Sequence, residues 1–292
     1  MYYLVECESW IPLNHLCCSN KKLQVIKKGL FSSDIIDICL FILQNILLFY
    51  FCSPHFYKYY VFKQVRHSSS DFLYSLIRRG LVKEIFPSDR PINCIGNPCA
   101  YAGFDATSDS LHIGNLLVLI ALLHWRKAGY ESIVVLGDTT AEIGDPSGHK
   151  TDRVILSRDV IHQNTEAIAE SVLTVFDNYE QYLLPRVKKK PKTLGKLSIL
   201  RNSEWYEKTS IVDFFSRSGR YIRVGDMLSR TSVRSRMESG AGINFSEFSY
   251  QVFQSYDWLY LFKNFNCRFQ VSLNFIENLC ILLARINFVE KL

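Results

Sequence analysis

From residue 98 onward, apolar and polar positions follow a pattern that predicts strands and helices in turn. The apolar runs at 98–104 and 132–137 are typical of buried strands, and the second is β-branched and ends in Gly137. Between them, residues 116–129 have the spacing of a helix that ends at Gly129. Strand, helix and strand in this order predict a βαβ unit, and therefore an α/β sheet of nucleotide-binding type.

Further helices are predicted on either side of this unit. Residues 68–86 have amphipathic spacing, with serines and an aspartate near the start and a glycine close to the end. Residues 157–179 form a long predicted helix that begins at a Ser157 cap. A third helix is predicted over 246–262, within a mostly helical stretch.

The first 66 residues differ in character from the rest of the chain. The apolar stretch at 35–52 is barely long enough to span a bilayer, and it contains Asp37, Gln44 and Asn45. It begins too far from the first residue for an ordinary secretory signal, and the segment has too little arginine for a mitochondrial transit peptide. We therefore expect residues 1–66 to be an atypical leader, a segment wrongly joined to the chain, or a membrane anchor.

Composition bounds the class of protein. With 48% hydrophobic and 21% charged residues among 292, the chain can bury a sizeable core in one large domain or two ordinary ones. A net charge of +6 fits an anionic partner such as a nucleotide or RNA, and fits a solvated basic surface nearly as well. The basic run at 186–192 leaves the same two interpretations open. The nine cysteines show no metal-binding spacing, so we expect no protein-bound metal.

The turn after the first strand carries the candidate chemistry. Gly103 permits close approach of a ligand to the backbone, and the helix that follows presents unpaired N–H groups that attract phosphate. His112 can donate hydrogen bonds to phosphate oxygens, and Gly114 lets a flat nucleotide lie against the helix. These residues suit ATP at the first crossover of a doubly wound sheet. A surface histidine and a packing glycine are the alternative.

Three ordered motifs decide between these interpretations. The stretch "YAGFDATSDSLHIGN" resembles the HIGH signature of class I aminoacyl-tRNA synthetases. Together with "TTAEIGDPSGHKTDR" (139–153) and "FSEFSYQVFQSYDWLYL" (245–261), it is similar to bacterial-type and mitochondrial tyrosyl-tRNA synthetases. Residues 202–230 resemble the connecting region of that family. The resemblance runs from about residue 70 to residue 270.

The resemblance implies a fold and its boundaries. We expect a doubly wound parallel, Rossmann-like α/β catalytic domain of the class I synthetases over residues 67–292. A helical connecting insertion, which in the family forms the dimer interface, is expected at about 180–240. The family also implies a homodimer, tyrosine, ATP with Mg²⁺, and tRNA(Tyr) as partners, and no stable membrane partner.

The resemblance also implies a tyrosine pocket. Tyr101 and Asp257 match the positions that hydrogen-bond the substrate phenol, and a site built in this way rejects phenylalanine because its own polar groups would be left unpaired. The known example of such discrimination is tyrosyl-tRNA synthetase itself. The helical spacing of Tyr250, Gln254 and Asp257 places all three on one face. The implied tyrosine-binding positions are Tyr101, Asp105, Asp145, Tyr250, Gln254, Asp257 and Gln270.

The implied ATP-binding positions surround the helix start. They are Gly103, Asp105, Thr107, His112, Gly114 and Asn115. Thr107 and His112 are expected to be catalytic, because they would stabilise charge on the phosphates while the tyrosine carboxylate attacks the α-phosphorus. The tyrosyl group then passes to tRNA without a covalent enzyme intermediate.

Two departures from the family matter. Asn115 stands where the family has the second signature histidine, and it keeps hydrogen-bonding capacity without charge. After 266–270 the family continues with a Gly-Gly-Ser-Asp-Gln stretch and later a KMSKS loop, whereas this chain reads "VSLNFIENLC" and ends at residue 292. We therefore expect the catalytic domain to be incomplete at its C-terminus and the reaction to be slowed.

The function expected from sequence is that of a tyrosine–tRNA ligase in the mitochondrial matrix, with the cytoplasm as the alternative location. A catalytically inactive, truncated protein that dimerises or binds RNA is the alternative function. A tryptophanyl enzyme is less favoured because of Tyr101 and Asp257. A membrane protein is supported only by residues 35–52.

Overall fold

The structure is a computed structural model, and it describes residues 2–6, 72, 82–86, 99–149, 151–187, 190–240 and 242–272. All of its described elements belong to one compact unit, formed by Met1–Glu8 together with Ser69–Leu292. The apolar stretch at 35–52 and most of the helix predicted over 68–86 lie outside these ranges. Within them, no helix combines the length and the apolar character needed to cross a membrane.

A six-stranded sheet forms the centre of this unit, counted over the described residues. Its order is β2-β1-β6-β3-β4-β5. Strand β2 runs antiparallel to β1, and every other neighbouring pair is parallel. The strands are β1 (Tyr2–Glu6), β2 (Val82–Phe86), β3 (Cys99–Asp105), β4 (Ser132–Gly137), β5 (Leu197–Arg201) and β6 (Cys267–Ser272).

The helices of the described ranges connect these strands. They are α1 (Ile113–Lys127), α2 (Asp138–Ile143), α3 (Arg158–Asn178), α4 (Ser203–Tyr206), α5 (Ile211–Asp213), α6 (Val224–Leu228), α7 (Thr231–Glu238) and α8 (Phe245–Phe265). A π-helical turn at Tyr179–Leu183 and a 3₁₀ turn at Leu184–Arg186 extend α3, and the same pair of turns follows α5 at Phe214–Ser218 and Gly219–Tyr221.

The predicted βαβ unit is confirmed. Strands β3 and β4 pair in parallel with Ala100 opposite Ser132, and α1 connects them. Helix α1 ends before Gly129, which has a φ of 89° that favours glycine. Helix α3 begins after Ser157, whose hydroxyl accepts from the Val160 N–H as predicted for an N-cap.

The core has two layers, one on each face of the sheet. Because side chains alternate along a strand, Ala100, Ala102 and Phe104 of β3 face α1 and α3, in a cluster that includes Leu122 and Val172. The opposite face of the sheet carries a second cluster, which contains Tyr101, Ile133, Val135, Trp205, Phe214, Val252, Trp258 and Leu261. Helices therefore cover both faces, which confirms the doubly wound α/β class.

One prediction near the N-terminus needs correction. Val82–Phe86, the end of the helix predicted over 68–86, forms strand β2. Tyr2–Glu6, at the start of the range expected to be a leader, forms β1 and pairs with β2 and β6 in the sheet. Both elements depend on backbone pairing between residues far apart in the chain, and local periodicity carries no signal for such pairing. The domain boundary at residue 66 stays a prediction.

Candidate active site

A cavity of about 620 Å³ opens at the carboxyl ends of β3, β4 and β6. This is the place where open α/β sheets bind ligands. It brings together every site residue predicted from sequence except Gly114, which is half-buried in α1. The predicted residues that line it are Tyr101, Gly103, Asp105, Thr107, His112, Asn115, Asp145, Tyr250, Gln254, Asp257 and Gln270.

One wall of the cavity holds the buried carboxylate of Asp257, on α8. Its Oδ1 accepts a hydrogen bond of 2.9 Å from Trp205 Nε1, and its Oδ2 accepts one of 3.2 Å from Asn202 Nδ2. Burial raises the pKa of Asp257 to about 7, although these donors lower it. Tyr101 lies on the same face of the sheet, with its ring centre 5.9 Å from that of Trp258.

A second, half-buried carboxylate, that of Asp105, lies at the end of β3. Its Oδ2 accepts from the Tyr250 hydroxyl at 2.6 Å, and its Oδ1 accepts from Thr140 Oγ1 at 2.7 Å. Burial raises the pKa of Asp105 to about 6. Burial and the neighbouring Asp105 raise the pKa of Tyr250 well above its usual value, so its hydroxyl stays protonated and donates.

A chain of hydrogen bonds joins these two carboxylates. Asn202 Nδ2, which reaches Asp257, also donates to Thr140 Oγ1 at 3.0 Å, and Thr140 donates to Asp105. Sequence analysis missed Thr140, Asn202 and Trp205. The available signal was that Asn202 directly follows β5, much as Asp105 ends β3, but β5 was itself not predicted.

Glycine at the end of β4 is required by this chain of hydrogen bonds. A Cβ on Gly137 would lie 2.2 Å from Asp105 Oδ1 and 2.3 Å from Thr140 Oγ1. No side chain can occupy that space unless the hydrogen bond between them is displaced.

The loop after α2 brings Asp145 to the cavity. Asp145 Oδ1 accepts from the Ser147 N–H at 2.9 Å, and its carbonyl oxygen accepts from Arg153 Nε at 2.8 Å. Across the cavity, Gln254 and Gln270 add amide groups. Gln270 Oε1 is buried and has no hydrogen-bond partner within the described residues, so it can accept from a ligand.

The N-terminus of α1 forms the opposite rim of the cavity. His112 is its N-cap residue, and the Asn115 N–H donates to His112 Nδ1 at 3.3 Å while Asn115 Oδ1 accepts from the His112 N–H at 3.1 Å. Because Nδ1 accepts, a neutral His112 ring carries its proton on Nε2, where it can donate to an anion. The first turn of α1 contains no acidic residue, which favours binding of phosphate.

Side chains that could bind a metal ion are not clustered in the described part of the chain. Within the described ranges, no three His, Cys, Asp or Glu side chains are arranged so that they could hold a metal ion.

Comparison with known proteins identifies the family. Residues 96–271 match the family of class I tRNA synthetases for tryptophan and tyrosine, and this range contains the whole cavity lining apart from Ser272. The chain belongs to this class I synthetase family. The Rossmann-like sheet is that of a class I synthetase.

Among the relatives of this class I synthetase, the mitochondrial tyrosine–tRNA ligase of Drosophila melanogaster is 44% identical over 212 residues, which are 71% of this chain and 46% of the fly protein. The Rattus norvegicus mitochondrial tyrosine–tRNA ligase is 35% identical over 79% of this chain and 50% of its own length. The chain thus spans about half the length of these relatives.

A solved structure has the same fold. The C-terminally truncated mitochondrial tyrosyl-tRNA synthetase of Aspergillus nidulans superimposes with a TM-score of 0.59 and 30% identity, over 67% of this chain and 54% of that protein.

Proposed function

We propose that this chain binds tyrosine and activates it with ATP, as the first step of tRNA aminoacylation. The observation that carries the proposal is the buried Asp257 carboxylate, held by Trp205 and Asn202 in the cavity that Tyr101 also lines. A carboxylate in that position accepts a hydrogen bond from the substrate phenol and compensates for its own burial. The relatives, which are named as tyrosine ligases, support tyrosine rather than tryptophan.

In this proposal the ammonium group of the substrate tyrosine binds nearer the N-terminus of α8 than its phenol ring does. Asp145, Tyr250 and Gln254 line the cavity there, and Gln270 presents a buried oxygen that lacks a partner in the described structure. A cation among a carboxylate and amide oxygens gains charge-assisted hydrogen bonds.

ATP is proposed to lie against the start of α1. An oxygen of the tyrosine carboxylate attacks the α-phosphorus, the new O–P bond forms, and the bond to the bridging oxygen breaks so that pyrophosphate leaves. In this proposal Thr107 and the Nε2 proton of His112, both in the cavity lining, donate to the phosphate oxygens. Mg²⁺ would accompany ATP and be coordinated by phosphate and water oxygens, as this ion usually is.

The second step and the partners follow from the same proposal. A terminal ribose hydroxyl of tRNA(Tyr) attacks the tyrosyl carbonyl carbon, and AMP leaves. The proposed location is the mitochondrial matrix, which is supported by relatives named as mitochondrial ligases.

A homodimer is also proposed, formed through the connecting region. Several large apolar side chains of this region are exposed in the single chain. They are Ile211, Val212, Phe215, Val224 and Leu228. The surface of a monomeric soluble protein seldom exposes so many.

Tyrosine-dependent exchange of pyrophosphate into ATP tests the proposed reaction. We expect the purified chain to catalyse the exchange, and we expect Asp257→Ala to abolish it. Asp177→Ala, at an exposed site on α3, is the matched control and should leave the rate unchanged. A folded chain without tyrosine-dependent exchange would contradict the proposal and favour the inactive, RNA-binding or dimerising alternative.

A further inference from the structure

Arg236 on α7 is a fully buried arginine that lies outside the cavity lining. Its side chain has 0% exposure, whereas Arg234, two residues earlier on the same helix, is exposed. Burying a guanidinium is costly unless its donors are satisfied, so the partners of Arg236 indicate what its burial achieves.

The Arg236 guanidinium ties three segments of chain together. Nη1 donates to Glu247 Oε2 at 2.5 Å and to the Thr151 carbonyl at 2.9 Å. Nη2 forms an ion pair with the Asp152 carboxylate, and Nε donates to the Gly242 carbonyl at 3.2 Å. The partners belong to the start of α8, to the loop before it, and to the loop that carries Asp145.

Glu247 itself lines the cavity, and two further contacts lead from it to other lining residues. Glu247 Oε1 accepts from the Arg153 backbone N–H at 2.8 Å, and Arg153 Nε donates to the Asp145 carbonyl at 2.8 Å. Asn244, the N-cap residue of α8, also donates to Glu247 Oε1 at 2.9 Å. Both Arg153 and Asp145 line the cavity, so Glu247 restrains the positions of two lining residues through these contacts.

The apolar side chains next to Arg153 do not provide this anchor. Val154 and Ile155, which directly follow Arg153, are 84% and 90% exposed, and Leu156 is the first apolar side chain after them that packs against the core. The polar contacts of Arg236 and Glu247 therefore hold the loop at residues 151–153. A buried polar network fixes one geometry in such a place, because its hydrogen bonds are directional and hydrophobic contacts are not.

We propose that Arg236 is a positioning residue that holds the Asp145 loop in the geometry that receives the tyrosine ammonium. This proposal rests on the proposed function. Arg236 acts through Glu247 and Arg153 and does not touch the substrate.

The test compares Arg236→Gln with Arg234→Gln in the full chain. The first measurement is the Kd for radiolabelled tyrosine by equilibrium dialysis, and we expect it to rise at least tenfold in Arg236→Gln and to stay unchanged in Arg234→Gln. The second is amide hydrogen exchange, which should become faster in residues 144–153 and remain unchanged in the core strands. Guanidinium ion at millimolar concentration should partly restore tyrosine binding, because it can replace the missing group.

A tyrosine Kd unchanged in a folded Arg236→Gln would overturn the proposal. If that variant fails to fold, Asp152→Asn decides, because it removes the ion pair between Arg236 and the loop and leaves the Arg236–Glu247 pair intact. A raised Kd in Asp152→Asn supports the positioning role, and a wild-type Kd contradicts it. If the unmodified chain binds no tyrosine, the proposed function fails. The amide hydrogen exchange of residues 144–153 in Arg236→Gln still tests whether Arg236 anchors the loop.

Discussion

Asp105, which is half-buried, and Asp257, which is buried, lie at the two ends of one hydrogen-bonded chain. Each accepts two hydrogen bonds, yet desolvation still raises both pKa values, to about 6 and about 7. Desolvation of these carboxyl groups therefore costs free energy, which in the proposed function the bound tyrosine offsets. This trade of stability for function is common at binding sites.

The raised pKa of Asp257 predicts how stability depends on pH. Because its pKa moves from the usual 3.8 to about 7, the folded state binds more protons than the unfolded state between these values. The free energy of unfolding should fall as pH rises from about 4 to about 7, by at most about 1.4 kcal/mol for each pKa unit. Asp257→Asn should flatten this slope in urea titrations at several pH values. Asp177→Asn should keep the wild-type slope, and an unchanged slope in Asp257→Asn would contradict the assignment.

The lack of space around Gly137 gives a second prediction. In Gly137→Ala the new Cβ would displace the Thr140–Asp105 hydrogen bond, so we expect a loss of about 1–3 kcal/mol in stability and weaker tyrosine binding. Chemical denaturation and equilibrium dialysis measure the two effects. Gly225→Ala, where nothing lies within 4 Å of the new Cβ, is the control and should not lose stability. If Gly137→Ala and Gly225→Ala have the same stability and the same tyrosine affinity, the space at the end of β4 is not restricted as described.

At the scale of single residues, the site residues that could be predicted from sequence were those with clear helical spacing or a match to a family motif. Tyr250, Gln254 and Asp257 were predicted on one helical face and all line the cavity. Thr140 and Asn202 were missed because their role depends on contacts with residues 35 and 55 positions away in the chain.

At the scale of elements, α1 connects the fold to the site. Its N-cap, His112, is also the proposed phosphate donor. The Asn115 backbone N–H fixes the orientation of the imidazole ring by donating to Nδ1, and the Asn115 side chain accepts from the His112 backbone N–H. Asn115 therefore has a structural role in this chain that its departure from the family signature did not reveal.

Removal of this cap partner should affect both stability and ATP binding. Asn115→Ala leaves the His112 N–H without its acceptor, so we expect a loss of about 1 kcal/mol and a several-fold weaker binding of ATP. Ser157→Ala removes the N-cap of α3, away from the cavity, and should lower stability by a similar amount with normal ATP binding. Urea titration and calorimetric ATP titration separate the two variants. Normal ATP binding by a folded Asn115→Ala would show that the Asn115 side chain does not contribute to the phosphate-binding geometry.

The elements that sequence predicted well are those defined by local signals. Strands β3 and β4 and helices α1, α3 and α8 all have clear periodicity, caps or glycine stops. Strands β1, β2, β5 and β6 lack such clear local signals, and each is defined by its partner in the sheet. This explains why β2 was predicted as helix.

At the scale of the whole molecule, the proposed dimer gives a further prediction. Phe215 of the connecting region and Leu173 of α3 are both 47% exposed, so they differ mainly in the surface to which they belong. Phe215→Asp should shift the mass in sedimentation equilibrium from dimer towards monomer, because it buries a charge in the interface. Leu173→Asp should leave the dimer intact. A chain that is monomeric before mutation, or a dimer insensitive to Phe215→Asp, would contradict this interface.

The most direct test of the central claim, that the buried Asp257 makes this cavity selective for tyrosine, is a comparison of tyrosine and phenylalanine binding. Isothermal titration of the 292-residue chain gives both affinities. We predict that tyrosine binds about a hundredfold or more tightly than phenylalanine, and that Asp257→Ala removes most of this difference. Equal binding of the two amino acids by the folded, unmodified chain would contradict the account.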